Sequence, residues 1–338
     1  MNKLSILQFV LFFSCTCLFM ACEEEDLFPR EHVADFVKEF PEGSNPWDQD
    51  LEEIAEHFGV KCIYDNLTSA DITKVWTASE IGKLTAEGLP KDSVRLKKLY
   101  TRFFKEQIFP YLNPTYAKAV LPNYIYFSYR YLLEKTAINT ITGEQIVYYE
   151  RVEMNYDGLG FWVFCWSTGE YLGLYGQMKQ NLQMFTKAMD VEKKREILLK
   201  NIFRKMVEEE VIAIPEEFES GHEFDYTTQI ISRDVVPSHV DYPNYYKRRG
   251  FPEQLRNYKN YASSSNLYNI TSTSPLENFC DYLWLAFRYT AEEIEQNYKD
   301  LPLVVKYYYF TVNYVKDNYG MDISRIAEPV TEDLDSNL

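Results

Sequence analysis

The sequence predicts an α+β fold with a mixed α/β N-terminal half and a helical C-terminal half. Two observations carry the prediction. Residues 123–166 hold short runs of Tyr, Phe, Ile and Val broken by turn residues, which is strand composition. Residues 191–212 and 275–319 instead repeat apolar side chains at helical spacing. No internal repeat is present, so the chain reads as one folded body over residues 46–326 rather than a solenoid.

Taken in order, Pro46-Trp47 opens a helix with Leu51, Ile54, Ala55 and Phe58 on one side. Gly59 stops it, and Val60–Tyr64 reads as a strand. Residues 70–82 and 91–109 are expected as helices, the second carrying Val94, Leu96, Leu99, Phe103 and Phe104 before Pro110. Asn123–Leu133 reads as a strand, residues 136–152 as a hairpin turning at Thr142-Gly143-Glu144, and Gly160–Trp166 as a buried strand. From Gln177 the pattern turns helical. Its clearest run, residues 191–212, aligns Ile197, Leu198, Ile202, Met206, Val207 and Val211 before Pro215 ends it. Residues 219–265 are rich in Tyr, Pro, Asn and Ser and read as an irregular crossing. Helices return at 275–288, 290–298 and 302–319, and residues 327–338 form an acidic tail expected to be flexible.

The N-terminus carries its own signal. Lys3 precedes an apolar run, Leu4 to Ala21, with the layout of a secretory signal peptide over residues 1–21. The run ends Leu18-Phe19-Met20-Ala21-Cys22, which resembles the lipobox of bacterial lipoproteins. That resemblance implies a lipidated Cys22 as the first mature residue and a bilayer as partner; two or more acyl chains give a stable anchor where one is marginal. Glu23-Glu24-Glu25-Asp26 begins an acidic tether over residues 22–45. The acidic tract resembles that of surface-exposed lipoproteins of Bacteroides-like bacteria, which implies an outer-membrane location.

Composition narrows the function classes. The net charge of −16 argues against a nucleic-acid partner, and the densest basic cluster, Lys247-Arg248-Arg249, is too small to offset it. The 28 Tyr and 22 Phe either build core or present a glycan- or protein-binding surface. Three cysteines follow Cys22, namely Cys62, Cys165 and Cys280; they allow one disulfide or three buried thiols, and no CxxC pair is present. There is no G-x-S-x-G elbow, P-loop or G-x-G-x-x-G.

Several short segments have a shared likeness. Gly59-Val60-Lys61-Cys62-Ile63-Tyr64, Pro215-Glu216-Glu217-Phe218, Gly250-Phe251 with Tyr261-Ala262-Ser263-Ser264-Ser265, and Pro275-Leu276-Glu277-Asn278-Phe279-Cys280-Asp281 follow one another in order. Together they resemble the substrate import-associated zinc metallohydrolase lipoproteins, over most of residues 46–326. The resemblance implies a zincin-like metallopeptidase fold and an association with SusC/SusD-type nutrient importers. Relatives bind zinc through H-E-x-x-H on the long helix, where two His one turn apart hold the metal and the Glu is the general base.

This chain departs from that motif. Superposition puts Glu208 and Ile212 at the two His positions and leaves Glu209 at the base position. Glu277 and Asp281 match the acidic downstream position, but they do not make a zinc site alone. His222-Glu223-Phe224-Asp225-Tyr226 begins like a second H-E-x-x-H and lacks its final His. His32, His57 and His239 stand isolated. The reading is therefore a non-catalytic, metallopeptidase-like outer-membrane lipoprotein without a cofactor. Its alternatives are a divergent zinc metalloprotease using His222 and Glu223, and a glycan- or protein-binding surface lipoprotein.

Overall fold

The computed structural model describes residues 38–65, 67–72, 84–152, 154–155, 160–168, 183–184, 186–228, 236–240, 242–252 and 274–336. The signal peptide, Cys22, His32, most of the tether, most of the helix expected over 70–82, and Tyr261–Ser265 lie outside these residues.

Helix α1 (Pro46–Phe58) has the predicted boundaries for local reasons. Asn45 and Asp48 form a reciprocal capping box, and Pro46 fills the first turn, where its missing N–H is not needed. Gly59 ends the helix at φ 72°, a left-handed position that glycine takes without strain. The chain then enters strand β1 (Lys61–Ile63). The structured body begins before α1. Glu42, placed in the tether by sequence, accepts the Tyr64 and Asp65 backbone N–H groups at 2.6 and 3.2 Å.

Ser69–Ile72 is a 3-10 turn, and strand β2 (Leu84–Gly88) was not apparent from the sequence. Helix α2 (Val94–Phe103) runs into a π-turn over Phe104–Ile108 and a 3-10 turn over Phe109–Tyr111. After the short α3 (Pro114–Ala117) comes the central strand, β3 (Tyr124–Ile138). Strands β4 (Gln145–Arg151), β5 (Met154–Asn155) and β6 (Phe161–Cys165) complete a six-stranded mixed sheet.

Strand β3 organises that sheet in two halves. Its first half pairs in parallel with β1 on one side and β6 on the other. Its second half pairs antiparallel with β2 and β4. The β2 register shifts at Glu87/Gly88, where a Cβ on Gly88 would lie 2.6 Å from the Asp65 carbonyl oxygen, so only glycine fits. Strand β6 is buried at every position because both its faces are covered. Trp162 and Phe164 join the larger core on the helical side, while Phe161, Val163 and Cys165 join a smaller cluster on the other face.

Two further strands, β7 (Ser167–Thr168) and β8 (Gln183–Met184), pair with each other. Within the stretch expected to be helical from Gln177, residues 183–184 are thus strand, and helix α4 (Ala188–Glu208) begins later. Helix α5 (Pro275–Arg288) is buried from Asn278 through Phe287, the pattern of a helix enclosed on all sides. Helices α6 (Ala291–Asn297) and α7 (Pro302–Tyr319) follow close to the expected limits. The α+β class, with strands early and helices late, is the class read from sequence.

The tail differs from expectation. Leu334 is buried, Asp333 pairs with Lys187, and Arg102 Nη1 donates to the Leu334 and Ser336 carbonyls at 2.8 and 2.7 Å. The segment is acidic, yet its carboxylates and carbonyls find cations on α2 and α4. Charge alone therefore did not make it fray.

Candidate functional site

The helix expected to carry the motif residues ends too soon to do so. Helix α4 stops at Glu208, four residues short of the predicted end. Glu209 is its C-cap, Glu210 turns left-handed at φ 56°, and Ile212 N–H closes on the Met206 carbonyl at 2.9 Å. Two physical causes account for the early stop. Three successive glutamates sit at the negative end of the helix macrodipole, where acid is disfavoured. Ile212, fully buried, is drawn into the core by the turn that follows.

Residues 208 and 212 consequently do not share a helix face. Glu209, which the resemblance puts at the general-base position, is exposed, and its carboxylate makes no hydrogen bond or ion pair among the described residues.

Of the sequence-picked acids, Glu277 does come to α4. It lies in the first turn of α5, where Ser274 caps the helix by accepting the Glu277 N–H at 3.2 Å. Its two carboxylate oxygens meet the Arg204 guanidinium at 2.7 and 3.2 Å, a forked pair. The same guanidinium donates through Nε to Glu208 at 2.6 Å. One arginine thus bridges Glu208 at the end of α4 and Glu277 at the start of α5. Hydrogen bonding to Glu277 is the largest influence holding this guanidinium above its ordinary range. Arg204 was not singled out from sequence. Its i,i+4 relation to Glu208 was visible there, but Glu277 lies 73 residues away.

The donor set therefore does not fit zinc. Both carboxylates serve a permanently protonated guanidinium, and the remaining motif position is an isoleucine. Asp281 is buried one turn further along α5. Among the described residues, no group of three or more His, Cys, Asp or Glu could hold a metal ion.

Around this pair the α4–α5 interface is cationic and aromatic. Lys200 Nζ lies 3.8 Å from the Trp284 ring centroid, and Arg204 Cζ lies 5.9 Å from it. Burial pulls the Lys200 ammonium down to about 8, with Glu196 opposing the shift. Glu196 itself pairs with Arg288 at 2.7 Å.

The second motif-like segment forms no site either. His222 is exposed in a bend, and Glu223 pairs with Lys306 at 2.7 Å, the bond that pulls its carboxyl below the ordinary range. Tyr226, where a second His would stand, donates its hydroxyl to the Phe218 carbonyl at 2.6 Å. His57 is exposed on α1, with Nδ1 2.8 Å from the Glu53 carbonyl oxygen, and neither it nor His239 belongs to a group of three or more potential metal ligands among the described residues.

Three of the family-like segments, Pro215–Phe218, Gly250-Phe251 and the start of α5, meet elsewhere, in an aromatic hub. Phe218 is fully buried, with ring centroids of Phe279, Tyr307, Phe224 and Tyr282 at 5.2, 5.3, 5.4 and 5.6 Å. Phe251 packs on Phe224 at 5.5 Å, and the Tyr282 hydroxyl donates to the Gly250 carbonyl. Gly250 has φ 82°, and a Cβ there would lie 3.1 Å from Phe224. Pro-x-x-Phe, Gly-Phe and the start of α5 are thus parts of one packing unit. Their spacing in sequence gave no sign that they touch.

Several tyrosines from the aromatic-rich composition, including Tyr100, Tyr131, Tyr282, Tyr307 and Tyr308, are core residues. Cys62, Cys165 and Cys280 are all buried free thiols. Burial pushes the Cys280 thiol up to about 12, so it is a packing group rather than a nucleophile. An apolar cavity of about 350 Å³ lies beside α1, lined by Ile54, Phe58, Phe109 and Leu112. The lysine at its edge, Lys105, pairs with Asp50 and Glu53 at 2.6 and 3.1 Å.

The sequence matches no protein-family model and no curated protein. Among solved structures, the chain is similar to one described as a "putative zinc-binding metallo-peptidase" from Bacteroides caccae. The TM-score is 0.42 at 10% identity, over 84% of this chain and 92% of the other.

Proposed function

We propose that this chain is a non-catalytic, metallopeptidase-like lipoprotein of the bacterial outer membrane, accessory to a SusC/SusD-type nutrient importer. The non-catalytic part rests on one observation: Arg204 bridges Glu208 and Glu277, and α4 ends at that point. A fixed cation stands between the acids that the sequence resemblance would assign to a metal centre, and neither imidazole is present. The anchoring part is supported by the apolar run ending at Cys22 and the acids after it. The importer association is supported by the ordered family-like segments alone.

Elemental analysis of the purified protein, after dialysis against a small zinc excess, tests the first part. Less than a tenth of an equivalent of zinc is expected. One tightly held zinc per chain, lost on substituting His222→Ala, would overturn the proposal in favour of a divergent zinc enzyme. For the anchor, Cys22→Ser should move the protein from the membrane fraction to the soluble fraction. Purification from a host membrane with the wild-type chain as bait is expected to bring down an importer pair.

A further inference from the structure

Arg195 is a buried charge without a carboxylate partner. It is only 4% exposed and sits on α4 facing the C-terminal segment. Its Nη1 donates to Gln107 Oε1 and to the Tyr111 hydroxyl, both at 3.1 Å, and its Nη2 donates to the Glu328 carbonyl at 2.6 Å. Every acceptor is neutral, and Nε is buried with no acceptor. The neighbouring carboxylates are otherwise engaged or turned outward. Glu106 pairs with Arg102 at 2.9 Å, Glu192 accepts the Val330 N–H at 2.7 Å, and Glu328 and Glu332 are exposed. A buried guanidinium surrounded by neutral dipoles is an incomplete electrostatic arrangement, because desolvating one charge is strongly unfavourable unless an opposite charge joins it.

Arg195 and Arg102 both line a cavity of about 220 Å³ formed by the end of α2 and the turn after it, α4 and residues 328–334. Arg102 uses Nε and Nη1 on Glu106 and the two C-terminal carbonyls, and its Nη2 makes no hydrogen bond among the described residues. The volume equals roughly seven waters. Gln107, Tyr111 and Thr331 add polar groups to the lining.

We propose that this cavity is a binding site for a small organic monocarboxylate, with Arg195 supplying the recognising charge. Arg195 supplies one positive charge without a carboxylate partner, and Glu328 and Glu332 also line the cavity, so a dianion such as phosphate is disfavoured relative to a monoanion. The lining contains neither Arg204 nor Glu277, and the proposal does not depend on the proposed function.

Calorimetric titration of the purified protein with sodium acetate tests this, against sodium chloride and sodium phosphate at matched ionic strength. Saturable one-to-one binding of acetate is expected, with chloride and phosphate giving none. Gln107→Glu would place a carboxylate beside Arg195 Nη1 as an internal counter-ion, and acetate binding should weaken by about tenfold or more. Thr331→Asp, at an exposed position of the lining, tests the charge balance without disturbing a buried group and should weaken binding in the same direction. Absence of saturation overturns the proposal and leaves Arg195 as a clasp for the C-terminal segment. An equal response to chloride means an adventitious ion only and also overturns it, as does wild-type acetate binding in both variants.

Discussion

Replacing Arg204 with methionine separates the bridging ion pair from the packing of its stem. Methionine keeps an apolar stem beside Trp284, so the change chiefly removes the guanidinium. The fork to Glu277 is formed between side chains 31% and 23% exposed. That places it between a surface pair, worth up to about 1 kcal/mol, and a fully buried one, whose disruption costs about 3–5 kcal/mol. Glu277 also lies in the first turn of α5 and keeps the favourable helix dipole after the change. A loss of roughly 1.5 kcal/mol from this fork follows. The Glu208 contact is exposed and has the less favourable order, base before acid, so it adds about 0.3 kcal/mol. The expected total is therefore close to 2 kcal/mol, read as a lower urea midpoint at unchanged slope. A double-mutant cycle with Glu277→Gln should assign most of it to the Arg204–Glu277 pair. Coupling below about 0.5 kcal/mol would refute the claim that this cation organises the acids.

Three further outcomes are expected. Glu210→Gly relieves a left-handed φ of 56° at an acid-rich helix end, and should raise stability by about 1 kcal/mol in urea denaturation; a fall would mean the turn is unstrained. Lys200 is held near 8 in the folded chain, below its ordinary 10.5, so between those pH values the native amine is neutral while the unfolded one is charged. Wild-type stability should thus rise by about 1 kcal/mol relative to Lys200→Met across that window and run parallel to it below pH 8; parallel curves throughout would contradict the depressed value. Ile141 and Val147 are 93% and 51% exposed on the β3–β4 hairpin, so Ile141→Lys with Val147→Lys should delay the onset of turbidity on heating without lowering the midpoint of unfolding.

Much of the fold was legible where local chemistry decided it. Pro46 and Gly59 bracket α1 because one suits a first turn and the other a left-handed exit. The hairpin over 136–152 and the helices from Pro275 onward were equally local in origin. Strand β2 was not legible: Leu84-Thr85-Ala86-Glu87-Gly88 has little strand propensity and owes its form to pairing with β3. The end of α4 was misplaced because Val211 continues the apolar period, while the opposing glutamates and the burial of Ile212 act against it. In the candidate site, Glu277 could be picked from its segment, but Arg204 could not, since nothing in sequence joins α4 to the start of α5. The hub on Phe218 was hidden for the same reason.

The anchoring of residues 328–336 bears on the order in which the body closes. Arg102 and Arg195 take carbonyl acceptors from residues 328, 334 and 336, at sequence separations of 133 to 234. Contacts that close such long loops repay their entropic cost only once α2 and α4 are already held together. A partly unfolded form that releases only this segment would keep the sheet while leaving the α2–α4 junction open to solvent.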